Sequence, residues 1–388
     1  MRIGSVEIPA GALLAPMEAV TDLAFRTVCE ELGAALTFTE FLSAEALVRG
    51  AQKALGRMWA SLGGRRFAVQ IFGREPAALA RAAEMAVDTG AAIVDINMGC
   101  PAKKVTAGMC GSALMREPDL AAELVAAVRR AVPAAVPVTV KHRTGWDESS
   151  INAAVFARRL VDAGAAMITV HGRTRAQGFS GVARHEPIAA VRAALPPEVP
   201  VVGNGDVKDV AAYVRMRAET GCDAVMIGRG AMGNPWLFAA VAALERRRAE
   251  AEADAAPAGE PAPPTLAERR RVWRRHADLV LEHAPPKMRI HELRKTLAWY
   301  SRGLYGGSTL RQRGSAVDDP AELLDRGEAF FAGLAGVGAT AGSDAAVLTT
   351  PADPVAKAIA RNVRRGGGER VEAEEPSGWE RPEGRPAA

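Results

Sequence analysis

Short apolar runs alternate with longer stretches of helical periodicity from the N-terminus to about residue 244. The runs ALLAP (12–16), ALTFTE (35–40), FAVQIF (67–72), AIVDIN (92–97), VPVTVK (136–141), MITVHG (167–172), VPVVGNG (199–205) and DAVMIG (223–228) read as buried strands. Amphipathic stretches such as PAALARAAEMAVDTG and INAAVFARRLVDAG lie between most of them, each closing on a glycine suited to a helix C-cap. Eight βα units in one chain predict a (β/α)8 TIM barrel of roughly 250 residues. An open doubly wound sheet is the competing architecture, but no G-x-G-x-x-G follows the first strand.

The texture changes at Glu245. The segment 245–264 is rich in Ala, Glu and Pro and reads as a linker, ending the barrel domain 1–244. Helical patterns resume in LAERRRVWRRHADLVLEHAP, KMRIHELRKTLAWYSRGL and DPAELLDRGEAFFAGL, which can pack as a small all-helical domain over 265–335. Beyond it, 336–388 has few large apolar residues and reads as a disordered C-terminal tail.

Composition narrows the class. The chain has 388 residues, 48% hydrophobic and 24% charged, as expected of a soluble globular protein. No apolar run is long enough to span a membrane, and the N-terminus has no signal-peptide pattern. The four cysteines, Cys29, Cys100, Cys110 and Cys222, form no C-x-x-C pair. That speaks against a metal site or a disulfide framework and fits a reducing, cytoplasmic setting. A net charge of +4 gives weak support for an anionic partner.

Strand ends carry the candidate chemistry, because a barrel of this kind places its active site at the C-terminal ends of its strands. Those ends read Pro16-Met17-Glu18, Glu40, Gln70, Asn97, Lys141, His171, Asn204-Gly205-Asp206 and Gly228-Arg229. Any one of them can be a plain solvated strand end; together they describe a polar cup around a ligand. Gly203, Gly205, Gly228 and Gly230 let backbone N–H groups approach an anion at the seventh and eighth strands, the common phosphate site of this fold. Arg229 can add a charge-assisted contact. Lys141 ends an apolar strand, where its stem can simply snorkel or its ammonium can face an electron-rich ring. Gln70 and Asn204 offer amide groups of the kind a flavin edge requires. Cys100, in NMGCPAKKV, sits in a tight loop between Gly99 and Pro101, followed by Lys103 and Lys104. Nearby cations favour a thiolate, but a thiol can equally serve as a general acid. The other three cysteines lack such a setting and read as core.

These residues are recognisable. The chain resembles the tRNA-dihydrouridine synthases, most of all the bacterial B-type subgroup, in APMEAVTDLAFR, VQIFG, DINMGCPAKKV, GSALMR, VKHRTGWD, TVHGRTRAQGFSG, VVGNGDV and MIGRGAMGNPWLF. These span about 12–240, and RKTLAWYSRGL resembles the family's helical domain. One departure is TAGMCGSALM, where Met109 and Cys110 stand in place of small residues. The resemblance implies a barrel carrying FMN, reduced by NADPH or NADH, that passes hydride to C6 of a uracil in tRNA while Cys100 protonates C5. It carries flavin contacts to Pro16, Met17, Glu18, Gln70, Lys141, His171, Asn204, Gly205, Asp206, Gly228 and Arg229. It places Asn97, Lys103, Arg173 and Arg175 near the substrate base or its backbone.

A nucleic-acid substrate changes the reading of the helical segment. From Thr265 to Arg313 there are twelve Lys or Arg against four Asp or Glu, interleaved with Trp273, Trp299 and Tyr300. Such clusters are usually solvated helix faces; with tRNA implied, they suit phosphate binding, with Arg294 and Lys295 as candidates. Two other readings stay open: an FMN barrel oxidoreductase acting on a free small molecule of the dihydroorotate or enoate type, and a tRNA-binding protein without catalysis. The first needs no basic helical domain, and an intact Cys100, Lys141 and His171 argue against the second.

Overall fold

The computed structural model describes residues 1–58, 65–250 and 263–341. A short antiparallel hairpin of β1 (Arg2–Ile3) and β2 (Val6–Glu7) opens the chain. All eight expected strands follow: β3 (Leu13–Leu14), β4 (Leu36–Phe38), then, after the short β5 (Leu42–Ser43), β6 (Phe67–Phe72), β7 (Ile93–Met98), β8 (Val138–Arg143), β9 (Met167–His171), β10 (Val201–Asn204) and β11 (Ala224–Ile227). They pair in parallel and in sequence, and β11 returns to β3 while β4 pairs β6 past β5. The sheet is therefore closed, and the (β/α)8 barrel is confirmed over the open sheet.

Period-two alternation divides each strand between two cores. Outward residues such as Val69, Val94, Ile96, Val138, Val140, Ile168 and Val225 pack under the helices. Inward residues at the strand starts, Leu13, Leu36, Ala68, Ile93, Met167, Val202 and Ala224, fill the barrel with Ile3 and Ile8 of the hairpin region. Further along β6 to β9 the inward row turns polar: Gln70 and Asp95 stand side by side in register, as do Asp95 and Thr139, then Asn97 and Lys141, and Arg143 and His171. Alternation thus makes a plugged, apolar floor and a polar top from the same strands.

Local signals set the helices. Asp22 caps Leu23–Glu31 by accepting from Phe25 N, and Asp209 caps Val210–Thr220, which ends on the left-handed Gly221. Thr265 and Glu268 form a capping box at the start of Leu266–His283. The helix Trp236–Glu250 runs past the composition change at Glu245, and the stretch 251–262 of the expected linker lies outside the described residues. The last helix, Pro320–Ala341, carries past residue 336; the remainder of the expected tail, from 342, lies outside them too.

Between these lie Pro286–Tyr300 and Gly307–Gly314, and the helical region docks on the barrel. Phe25 of the first barrel helix stacks on His276 at 5.5 Å and meets Trp299 at 5.2 Å. Arg275 forks onto Glu31, its Nη2 2.6 Å from Oε1. Trp273, Leu279 and Leu297 are fully buried, Trp273 against Phe331. Among the described residues no helix is long and apolar enough to cross a membrane.

Candidate active site

A cavity of about 720 Å³ opens at the C-terminal ends of the strands. Its wall takes Pro16, Met17 and Glu18 from the loop after β3, Asn97, Cys100 and Lys103 from β7 and its loop, and Lys141 from β8. The opposite side is formed by His171 and Arg175 after β9, Asn204, Gly205 and Asp206 after β10, and Gly228 and Arg229 after β11. Most residues expected from the sequence therefore meet at one mouth.

Four expected residues stand elsewhere. Gln70 lies fully buried below the cup, its Nε2 on Asp95 and its Oε1 accepting from Asn97. Arg173 is buried behind the wall, where it donates to Asp206 Oδ2 at 2.7 Å and to the carbonyls of Ser180 and Gly181. Arg294 holds the Val317 carbonyl and Asp318. Lys295 pairs with Glu292 and donates to the Ala19 carbonyl at 2.6 Å, beside the ring of Trp299. These two cations have partners within the chain, and one ties the helical region to the loop after β3. Glu40, another strand end, accepts from Ala19 N at 2.5 Å and faces Arg57.

The Cys100 loop is anchored on both sides. Asn97 Oδ1 accepts from Gly99 N at 3.1 Å and from Cys100 N at 2.9 Å. The Cys100 carbonyl accepts from Ser112 N and Ser112 Oγ. Gly111, at φ +60°, is needed there: a Cβ would come within 2.8 Å of that carbonyl oxygen. Met109 is left-handed at φ +54°, and Cys110 is buried, its thiol donating to the Gly108 carbonyl. The unusual segment therefore forms the base of the loop. Burial, reinforced by Glu18, raises the Cys100 thiol above its ordinary value, against the opposing pull of Arg143 and Lys104. Burial outweighs the nearby cations and the Ala102 N–H, and so favours the thiol over the thiolate.

The other groups are tuned in the same way. Burial, then the Arg143 charge, brings Lys141 down to about 8, and its Nζ donates to Asn204 Oδ1 at 3.1 Å. Burial among cations holds His171 well below its usual range, so the ring is neutral. Burial opposes ionisation of Asp206, but Arg173 and the N–H of Ala183 outweigh it and lower its pKa. Asp206 sits at φ +52°, and Gly205 at +132° lies against His171 and Ala183. A Cβ at Gly230 would run into the Val207 carbonyl, so the loops after β10 and β11 touch through their backbones.

Arg143 was not anticipated. It lines the cavity, donates to the Gly99 carbonyl at 2.7 Å and to the carbonyls of Thr174 and Gly178, and lies beneath the exposed ring of Phe179. Its signal was present: two residues beyond Lys141 on an extended strand, it shares Lys141's face. Phe179 also takes Arg229 at 4.9 Å, and Trp146 takes Arg175 at 4.3 Å. Among the described residues no cluster of His, Cys, Asp and Glu could hold a metal ion.

Fold and cup define the class: a (β/α)8 barrel in which a cysteine loop faces a cationic, glycine-walled pocket. The chain belongs to the dihydrouridine synthase family, whose sequence profile matches residues 13–333, and is accordingly an oxidoreductase. It is 41% identical over 338 residues to tRNA-dihydrouridine synthase B of Xanthomonas axonopodis pv. citri, covering 87% of this chain and 98% of that one. It is 38% identical over 332 residues to tRNA-dihydrouridine synthase B of Pasteurella multocida, covering 85% and 96%. A probable tRNA-dihydrouridine synthase of Rhodobacter capsulatus is 40% identical over 325 residues, covering 84% and 95%.

Proposed function

We propose that this protein reduces the C5=C6 bond of uridines in tRNA to dihydrouridine, with FMN in the cup and NADPH as reductant. The observation that carries the reading is Cys100, a thiol whose pKa is raised by burial, on an anchored loop at the rim of a polar cavity. The cavity's size lies within the roughly 300–1,000 Å³ usual for cofactor sites. Its residues suit a flavin phosphate: at one end Arg229 stands beside glycine-rich backbone, and the Asp206 charge there is already answered by Arg173. Lys141, neutral His171 and Asn204 would surround the ring, Pro16, Met17 and Glu18 would border it, and Gln70 would support the floor from below. Held by these residues and reduced by NADPH, FMN would supply the hydride for C6 of the uracil.

Cys100 gives its proton to C5, and Arg143 and Lys104 stabilise the thiolate left behind. A uridine reaches the cup only after leaving its stack. Phe179, 59% exposed on the rim, and Arg175, Lys103 and Asn97 along the wall would receive the base and its backbone. The exposed cations of the helical region, such as Arg271, Lys287 and Arg313, would take tRNA phosphates, while Arg294 and Lys295 hold the helices to each other and to the barrel. A free small-molecule substrate would leave that basic region without a role. A tRNA substrate also suits a cytoplasmic enzyme.

Cys100→Ala tests the assignment. FMN binding and reduction by NADPH should persist, while flavin reoxidation by tRNA slows ~10²–10⁴-fold, the range for a lost general acid. Unimpaired reoxidation would remove Cys100 from the role.

A further inference from the structure

Inside the barrel, a line of polar side chains runs from β8 to the Cys100 loop, and its two ends agree on the direction of every hydrogen bond in it. Backbone N–H groups only donate. Gly99 N and Cys100 N therefore require Asn97 to present its oxygen to them. Asn97 Nδ2 is left facing inward, where it donates to Gln70 Oε1 at 2.8 Å. With its oxygen engaged, Gln70 turns Nε2 to Asp95 Oδ2 at 2.6 Å. The other Asp95 oxygen accepts the Thr139 hydroxyl at 2.5 Å. Gln70, Asp95 and Thr139 are fully buried, so water cannot substitute for a missing partner.

We propose that Asp95 is the positioning residue of the Cys100 loop: by offering only acceptors it orients Gln70, through Gln70 it orients Asn97, and through Asn97 it holds the loop. Asp95 lies in the second layer of inward positions, next to Gln70 on one side and Thr139 on the other, as the strand register requires. If Gln70 lost its acceptor it could rotate, presenting Nε2 to Asn97 Nδ2, donor against donor. Asn97 would then have to rotate as well, taking its oxygen away from two backbone N–H groups. One carboxylate thus decides the state of a loop with which it shares no direct bond. The inference rests on the proposed function only for the chemical role of Cys100; the geometric claim concerns the loop itself.

The test reads the loop without turnover. Iodoacetamide alkylation of Cys100 is followed by peptide mass spectrometry in the intact folded protein, in which Cys29, Cys110 and Cys222 are buried. Gln70→Met and Asp95→Leu each interrupt the line. Each should alkylate roughly 5- to 100-fold faster than the wild type, the opening factor that matches one lost buried hydrogen bond. The double change D95N with Q70E moves the carboxylate one place along while preserving size and charge. The new amide at position 95 then donates to one oxygen of the new carboxylate at position 70, and Asn97 donates to the other. Thr139 still has an acceptor, so alkylation should return to within about twofold of wild type. Should Asp95→Leu fail to fold, the other two proteins decide. Wild-type alkylation in Gln70→Met would show that the line does not hold the loop, and fast alkylation in D95N/Q70E would show that its polarity is not what matters; either overturns the proposal. A failure of Cys100→Ala to slow the tRNA step would remove the functional reading and leave this one standing.

Discussion

Cys100 shows how burial and charge compete at a single residue. Lysines in the sequence around it suggested a thiolate, yet Lys104 turns outward to Glu18 at 3.4 Å and the thiol is half enclosed. With its pKa raised, the thiolate forms only at higher pH, so the donor form is present throughout the neutral range and is lost as pH climbs through the raised value. Alkylation of Cys100 should accordingly reach half its maximal rate above the ordinary thiol value of ~8.5; a midpoint below that would mean the cations win. Arg229 is the corresponding residue at the anion end. It is half exposed and shares its surroundings with Asp206 at 3.7 Å, and it can turn to a phosphate. Arg229→Ala should weaken FMN binding by about 1.5–3 kcal/mol, or roughly 10- to 100-fold, with the barrel still folded. Equilibrium dialysis measures this directly, and unchanged retention would place the phosphate elsewhere. Residue types at these positions were legible in the chain because strand ends can be read off an apolar run. Arg143 was missed because the strand was ended at Lys141, although the strand continues for two more residues.

Within single elements the sequence was a dependable guide wherever one period dominated. In β7 the alternation is clean and the inward row passes from apolar to polar along the strand, from Ile93 to Asp95 and Asn97. Loops are different, since their shape depends on what approaches them. Two glycine pairs suggested an anion site, but Gly230 is also constrained by the loop after β10, whose Val207 carbonyl fills the space a side chain would need. Gly230→Ala should force these two loops apart. A cost of about 1–3 kcal/mol is expected, as for overpacking, seen as a lower melting temperature together with faster loss of FMN. Normal melting and normal FMN retention would mean that the contact yields freely.

Across the whole molecule the helical region is joined to the barrel through the first barrel helix and the loops that border the cup. Phe25 is buried against His276 and Trp299, Lys295 reaches the Ala19 carbonyl, and the Trp299 backbone lies against Gly233. A chain ending at Glu250 would expose Phe25 and its neighbours. It should still bind FMN and oxidise NADPH with an artificial acceptor, but aggregate more readily and lose both tRNA affinity and the steep salt dependence of binding. Tight tRNA binding by that shortened, folded chain would assign the grip to the barrel instead. The sequence by itself determined the barrel, the helical region and the location of the cup, because strand period, capping residues and strand ends are all recorded locally. Only the tertiary structure decided which polar groups are spent within the chain. Gln70, Arg173, Arg294 and Lys295 have side-chain chemistry suited to ligands, but each meets a partner brought close by folding: Asp95 from the neighbouring strand, Asp206 from the next loop, Val317 from the segment before the last helix and Ala19 from the far end of the chain. Folding also raises the pKa of Cys100, since desolvation depends on everything packed around a group rather than on its neighbours in sequence.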